Sequence, residues 1–132
     1  MPIIKAAELG EDLEDQPVPE GQYDLRVARA TYKLSEGKGI PMNVLTFVIE
    51  GEPGAAPFMH WVLFPKEDDV RDVTRQRLRD IKRFFTVFGI PLDDYDPEND
   101  FEQLMGATGN CRVSVETGDD NVERNRLRLP RV

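Results

Sequence analysis

The chain has one cysteine, one histidine and no long apolar run, and each scarcity removes a class of function. A lone cysteine, Cys111, cannot close an internal disulfide, which points to a reducing, cytoplasmic compartment. With His60 as its only histidine, the chain is too poor in ligands for a zinc site and too poor in partners for Cys–His catalysis. No apolar stretch approaches the ~20 residues of a membrane span, so no membrane partner is expected. The opening residues, Met1 to Glu8, are too short in their apolar part for a signal peptide. Bases are also in the minority: 17 Lys plus Arg face 25 Asp plus Glu, a net charge of −8. Taken whole, that charge argues against a polyanionic partner.

What is present is one domain's worth of sequence. At 132 residues a single core buries roughly two-thirds of the unfolded chain's surface, enough to fold without staples. The charge is unevenly laid out. Residues 8–24 hold Glu8, Glu11, Asp12, Glu14, Asp15, Glu20 and Asp24 and no base; without these seven, 17 cations meet 18 acids. Pro17 and Pro19 interrupt the stretch. Residues 1–20 therefore read as a flexible acidic arm, and 21–132 as the folded domain.

Within that domain the alternation of apolar residues marks strands. From Gln22 to Leu34, Tyr23, Leu25 and Val27 share one parity and Ala30, Tyr32 and Leu34 the other. A parity switch in a continuous strand predicts a bulge near Val27–Ala28, after which Arg26, Arg29, Thr31 and Lys33 all face outward. A second strand, Met42 to Glu50, sets Leu45, Phe47 and Ile49 on one face and Val44, Thr46 and Val48 on the other. The third runs from Phe58 to Phe64. The period then becomes helical: Val70, Val73, Leu78, Ile81, Phe84, Phe85 and Phe88 form one stripe. Asp68 or Asp69 is suited to cap its start, and Gly89 to stop it. A short helix with Phe101, Leu104 and Met105 leads to a fourth strand with Cys111, Val113 and Val115 inward. A turn at Gly118–Asn121 precedes a fifth, Val122 to Leu129, alternating leucines with Arg124, Arg126 and Arg128. The expected fold is mainly β with one long helix (α+β). The order β-β-β-α-β-β, with a bulged first strand and the helix between the third and fourth, is that of a five-stranded OB-fold barrel. Other α+β sheets of the same order remain open.

The succession of motifs also resembles a family. Val18-Pro19-Glu20-Gly21-Gln22-Tyr23 entering a basic strand is similar to the opening of phage-encoded single-stranded DNA-binding proteins with an OB fold. Met42-Asn43-Val44-Leu45-Thr46-Phe47-Val48-Ile49-Glu50-Gly51 matches the second strand. The likeness continues through Phe84-Phe85-Thr86-Val87-Phe88-Gly89-Ile90-Pro91, Phe101-Glu102-Gln103-Leu104-Met105-Gly106 and a last hairpin holding Asn125. It covers about residues 18–129. The resemblance implies single-strand binding in phage replication or recombination inside a bacterial host, without catalysis. It also implies replication or recombination proteins as further partners. Single-strand binders usually end in an acidic tail that recruits such partners. Here the last residues are Arg126-Leu127-Arg128-Leu129-Pro130-Arg131-Val132, and the acids stand near the N-terminus instead, which puts recruitment through such a tail in question.

Single-strand binding needs cations along a groove and aromatic faces for bases. The expected phosphate contacts are Arg26, Arg29, Lys33, Lys38, Arg112, Arg124, Arg126 and Arg128, although charged edge strands also serve simply to discourage aggregation. Trp61 is the foremost stacking candidate, followed by Tyr32, with Phe47 and Tyr23 better suited to the core. If Val62 and Phe64 fill the barrel, Trp61 points outward; if the parity is reversed, His60 does. The helix cations Arg71, Arg75, Arg77, Arg79, Lys82 and Arg83 read as a solvated face or as a second track for a wrapped strand. Asp93 to Glu102 lacks the glycine and closing glutamate of an EF-hand loop. Lys38, in Gly37-Lys38-Gly39, lacks Walker spacing. No cofactor, metal or catalytic residue is therefore expected. A protein-interaction module on the same barrel is the main rival, and a carboxylate-dependent nuclease the enzyme alternative. Oligomeric state, monomer or homodimer, is left open.

Overall fold

A computed structural model describes residues 16–130. Five strands, β1 (Gly21–Leu34), β2 (Pro41–Ile49), β3 (Phe58–Leu63), β4 (Thr108–Thr117) and β5 (Glu123–Arg128), form one antiparallel sheet in the order β3-β2-β1-β4-β5. The helix α1 (Arg71–Val87) lies between β3 and β4, and a 3-10 turn spans Phe101–Leu104. Among the described residues no helix is long and apolar enough to cross a membrane.

The sheet curls because β1 is long and bent. Its first half pairs with β4 and its second half with β2. The β2 register slips between Val27 and Arg29, the predicted bulge. At that point Val27 still faces Phe47 and Ala28 is left without a partner in β2, while Val27 exchanges hydrogen bonds with the loop before β4, through Ala107 O (2.9 Å) and Gly106 N–H (2.8 Å). The bulge lets Leu25, Val27 and Ala30 all face inward while Arg26, Arg29 and Lys33 stay exposed. Rolled this way, the sheet brings β3 and β5 side by side and closes nearly into a barrel.

The interior is aromatic. Phe47 packs on Phe58 (5.4 Å between centroids) and Phe88 (5.2 Å), and Phe84 on Phe88 (4.9 Å). Ile81, Phe84, Phe85 and Phe88 close one side of the barrel. Gly89, at φ 65°, ends the helix, with the Ile90 amide returning to Phe85 O.

Two expectations about α1 need correction. Val70, Val73 and Leu78 are exposed, because only the last two turns of the helix meet the barrel. Nor does an aspartate cap it: Val70 occupies the N-cap. Asp69 is committed elsewhere, accepting the Lys66 amide at 2.7 Å and pairing with Arg77. Val115 is likewise exposed rather than inward, near the tip of the β4–β5 hairpin and beyond the core.

Two buried asparagines hold non-strand segments to the barrel. Asn43 accepts the Tyr95 hydroxyl (2.6 Å) and donates to Pro97 O (2.9 Å), stapling the acidic 91–100 loop over the end of β2. Asn125 accepts the Val18 amide and donates to Val18 O, both at 2.8 Å, so its side chain acts as a strand partner. Gln16 adds backbone bonds to Gly54 O (3.0 Å) and from the Ala56 amide (2.8 Å). Residues 16–19, assigned from sequence to the arm, are thus strapped to the barrel, with Val18 in its core. The acids Glu8 to Asp15 lie outside the described residues.

Candidate nucleic-acid interface

Phe58, Val62 and Phe64 point into the core, so the opposite parity of β3 faces out. Met59, Trp61 and Leu63 form an exposed apolar row, Trp61 retaining 39% of its surface. His60 is thereby removed as a stacking candidate. It turns inward and stacks on Phe84 at 6.0 Å. Loss of hydration there lowers its pKa to about 4; Asp80 opposes the shift and Arg126 adds to it.

Strand register extends the apolar row across the outer face. Thr31 opposes Val44, which opposes Trp61; Arg29 reaches Met59 through Thr46, and Lys33 reaches Leu63 through Met42. Neighbouring strands are about 4.8 Å apart, so Arg29 and Lys33 run roughly 10 Å to one side of the row. On the other side lies the seam between β3 and β5, crossed by Arg126, whose guanidinium carbon sits 5.5 Å from the Trp61 ring centroid. Such a cation–π contact contributes about 0.5–1 kcal/mol where exposed.

Two clefts flank this bridge. The larger, about 810 Å³, is lined by Pro57, Met59, Trp61, Arg124 and Arg126, with Gln16 and Pro17 of the strap at its rim. The smaller, about 390 Å³, lies between Trp61, Leu63, Arg128 and the helix residues Arg77 and Arg83.

The arginines of the seam are not bare. Glu116 accepts from Arg126 Nε (3.1 Å) and also pairs with Arg128. Arg124 pairs with Asp120 at 2.6 Å, which together with the Val122 amide holds the Asp120 carboxyl down to about 2. Arg128 also donates to Ser114 Oγ (2.8 Å), which explains how an outward serine comes to be buried. Arg112 sits beside Arg128 on β4 and meets Glu20 at 3.4 Å. Arg26 is bound by Glu50 at 2.7 Å and stands apart from the seam. By contrast, Arg29, Lys33, Lys38, Arg71, Arg75, Arg79 and Lys82 have no ion-pair partner among the described residues.

Of the expected contacts, then, Trp61 is grouped with Arg124, Arg126 and Arg128, with Arg112 adjacent, and Arg29 and Lys33 flank the row from β1. Lys38 lies in the loop after β1, where its carbonyl accepts Lys66 Nζ at 2.6 Å. Tyr32 does not join the site. It shares the inner parity of β1 opposite Asn43, half-buried, because the bulge reverses the alternation. Phe47 is fully buried, and Tyr23 packs against the core with its hydroxyl on Pro19 O (2.7 Å). Sequence reasoning passed over Glu116, Asn43 and Asn125. For the asparagines a signal existed: each is a polar residue at the buried parity of its strand.

No protein-family model matches the chain, and no curated protein matches it significantly.

Proposed function

We propose that the chain is a single-stranded DNA-binding protein with an OB-fold barrel, acting in phage replication or recombination within the host cytoplasm. Supporting the fold are the strand order, the near closure of β3 on β5 and the helix between β3 and β4. The observation that carries the function is Trp61: an exposed indole in an apolar row, with an arginine over its ring and cation rows on both sides. A base stacked on such an indole gains about 1–3 kcal/mol, and arginines alongside take the phosphates. The carboxylates on those arginines do not block this use. Exposed ion pairs are worth about 0–1 kcal/mol each, so a phosphate can displace a carboxylate. The reading needs no cofactor, metal or catalytic group.

The chain has one tryptophan, so its fluorescence reports on the site alone. Titration with oligo(dT) at two salt concentrations, beside a duplex of equal length, is expected to show quenching, preference for the single strand and steep loss of affinity with salt. No binding by a folded sample at low salt overturns the reading. A second reading rests on the same apolar row: Met59, Trp61 and Leu63, beside arginines already carrying carboxylates, suit a protein-interaction module. It predicts salt-insensitive association with a protein partner and indifference to DNA.

A further inference from the structure

We infer that a bound single strand does not stop at Trp61: it leaves the seam through the smaller cleft and continues along one ridge of α1, held there by Arg71, Arg75 and Arg79. This rests on the single-strand binding proposed above and lengthens its site.

The ridge is built by spacing. Arg71, Arg75, Arg79 and Arg83 recur at every fourth position of α1, so they stand in one row, about 6 Å apart along the axis and about 18 Å from end to end. The first three are exposed. Arg79 donates to Gln76 Oε1 (3.3 Å), and none of the three has an ion-pair partner among the described residues. Of the acids nearby, Asp68 pairs with Lys66, Asp69 with Arg77 and Asp80 with Arg83, while Glu67 and Asp72 pair with no cation. The helix as a whole has six cations against two acids. Like charges at i and i+4 weaken a helix. The steps Arg71–Arg75 and Arg75–Arg79 thus cost stability that a phosphate backbone lying on them would restore.

The ridge is also joined to Trp61. Arg83, its inner end, lines the smaller cleft together with Trp61, Leu63 and Arg128. The cleft itself is nearly neutral, since Asp69, Asp80 and Glu116 answer Arg77, Arg83 and Arg128. It supplies the route, and the ridge supplies the charge. Arg83 is the loosest of these pairs: its Nη1 lies 3.8 Å from Asp80, and its buried Nε has no hydrogen-bond partner, a donor the fold leaves for a phosphate. The course turns from sheet to helix within one small domain. A duplex, with a persistence length of about 50 nm, does not make that turn; a single strand does.

The test is Arg71→Gln, Arg75→Gln and Arg79→Gln combined in the full chain, read by Trp61 fluorescence with strand in excess. Two lengths of oligo(dT) are compared across salt: about six nucleotides, within one OB-fold site, and about twenty, beyond it. In the variant the long strand is expected to bind about tenfold more weakly at low salt. Its log–log salt slope should flatten by about 2, three phosphate contacts at about 0.7 each. The short strand should keep its affinity, its slope and its quenching of Trp61. The urea midpoint should stay at or above that of wild type, since the like charges are gone. Unchanged affinity and slope for the long strand overturn the ridge and leave the Trp61 site standing. Equal losses for both lengths overturn it as well, because they mark a general change of charge rather than a track. If neither strand binds wild type, the ridge falls together with the function proposed above.

Discussion

Glu116→Gln is the sharpest probe of the seam, because one carboxylate holds two of its arginines. A phosphate reaching Arg126 or Arg128 must approach that carboxylate. At about 7 Å, two like charges repel by roughly 0.6 kcal/mol even at the dielectric of bulk water. Relieving one or two such repulsions tightens binding by about three- to eightfold at low salt. The variant also adds one net positive charge, so the plot of log affinity against log salt should steepen by about 0.7. Its cost in stability is small. Both ion pairs are roughly half exposed, with side chains retaining 41–50% of their surface, so each is worth no more than about 1 kcal/mol. The assay is Trp61 fluorescence against oligo(dT) at several salt concentrations, with a urea titration as a check on folding. A folded variant with unchanged affinity and unchanged slope refutes the assignment of Arg126 and Arg128 to phosphates.

Other perturbations have equally direct readouts. Trp61→Ala should weaken oligonucleotide binding by about 5- to 150-fold, the loss of one stacked base, measured by anisotropy with a labelled strand; Trp61→Phe should lose less. Asn43→Ala should destabilise the fold by roughly 2–4 kcal/mol, since it strands the Tyr95 hydroxyl and Pro97 carbonyl as well as removing bonds; a urea midpoint equal to wild type counts against the staple. His60 sets a pH dependence. Its folded pKa of about 4 lies below the unfolded value of 6.5, so the unfolded chain binds the proton first. Stability is then intact above pH 6.5, falls as the pH drops towards 4, and loses on the order of 2–3 kcal/mol from this group. Subtracting the profile of His60→Gln isolates that slope, and identical profiles remove His60 as its source.

How far the fold and site were legible depended on which physical signal each residue left. The bulge was visible because burial alternates with a period of two, and an apolar parity switch has few other causes. The end of α1 was visible because Gly89 takes a conformation other residues resist. The exposure of Val70, Val73 and Leu78 was not, since periodicity reports an apolar stripe but not the length of the surface that meets it. Asp69 was misjudged as a cap because capping competes with the Lys66 amide and Arg77, contacts made only after folding. Trp61 and His60 stood as a two-way choice until the packing of Phe58 and Val62 set the parity. Glu116 was overlooked although the turn at Gly118–Asn121 fixes the hairpin register and so places it among the arginines of β5.

Asn125 grips Val18 by its peptide group, and this has a practical consequence. The hydrogen bonds ignore the side chains at positions 16, 17 and 19, so substitutions there that keep the backbone path leave the strap in place, whereas one change at 125 removes both side-chain bonds that hold Val18. The barrel therefore offers an interchangeable graft point. A fluorophore-bearing peptide, an affinity tag or a different acidic sequence fused ahead of Gln16 would be presented at the same rim beside Trp61, converting the seam into a sensor whose ligand is chosen by the experimenter.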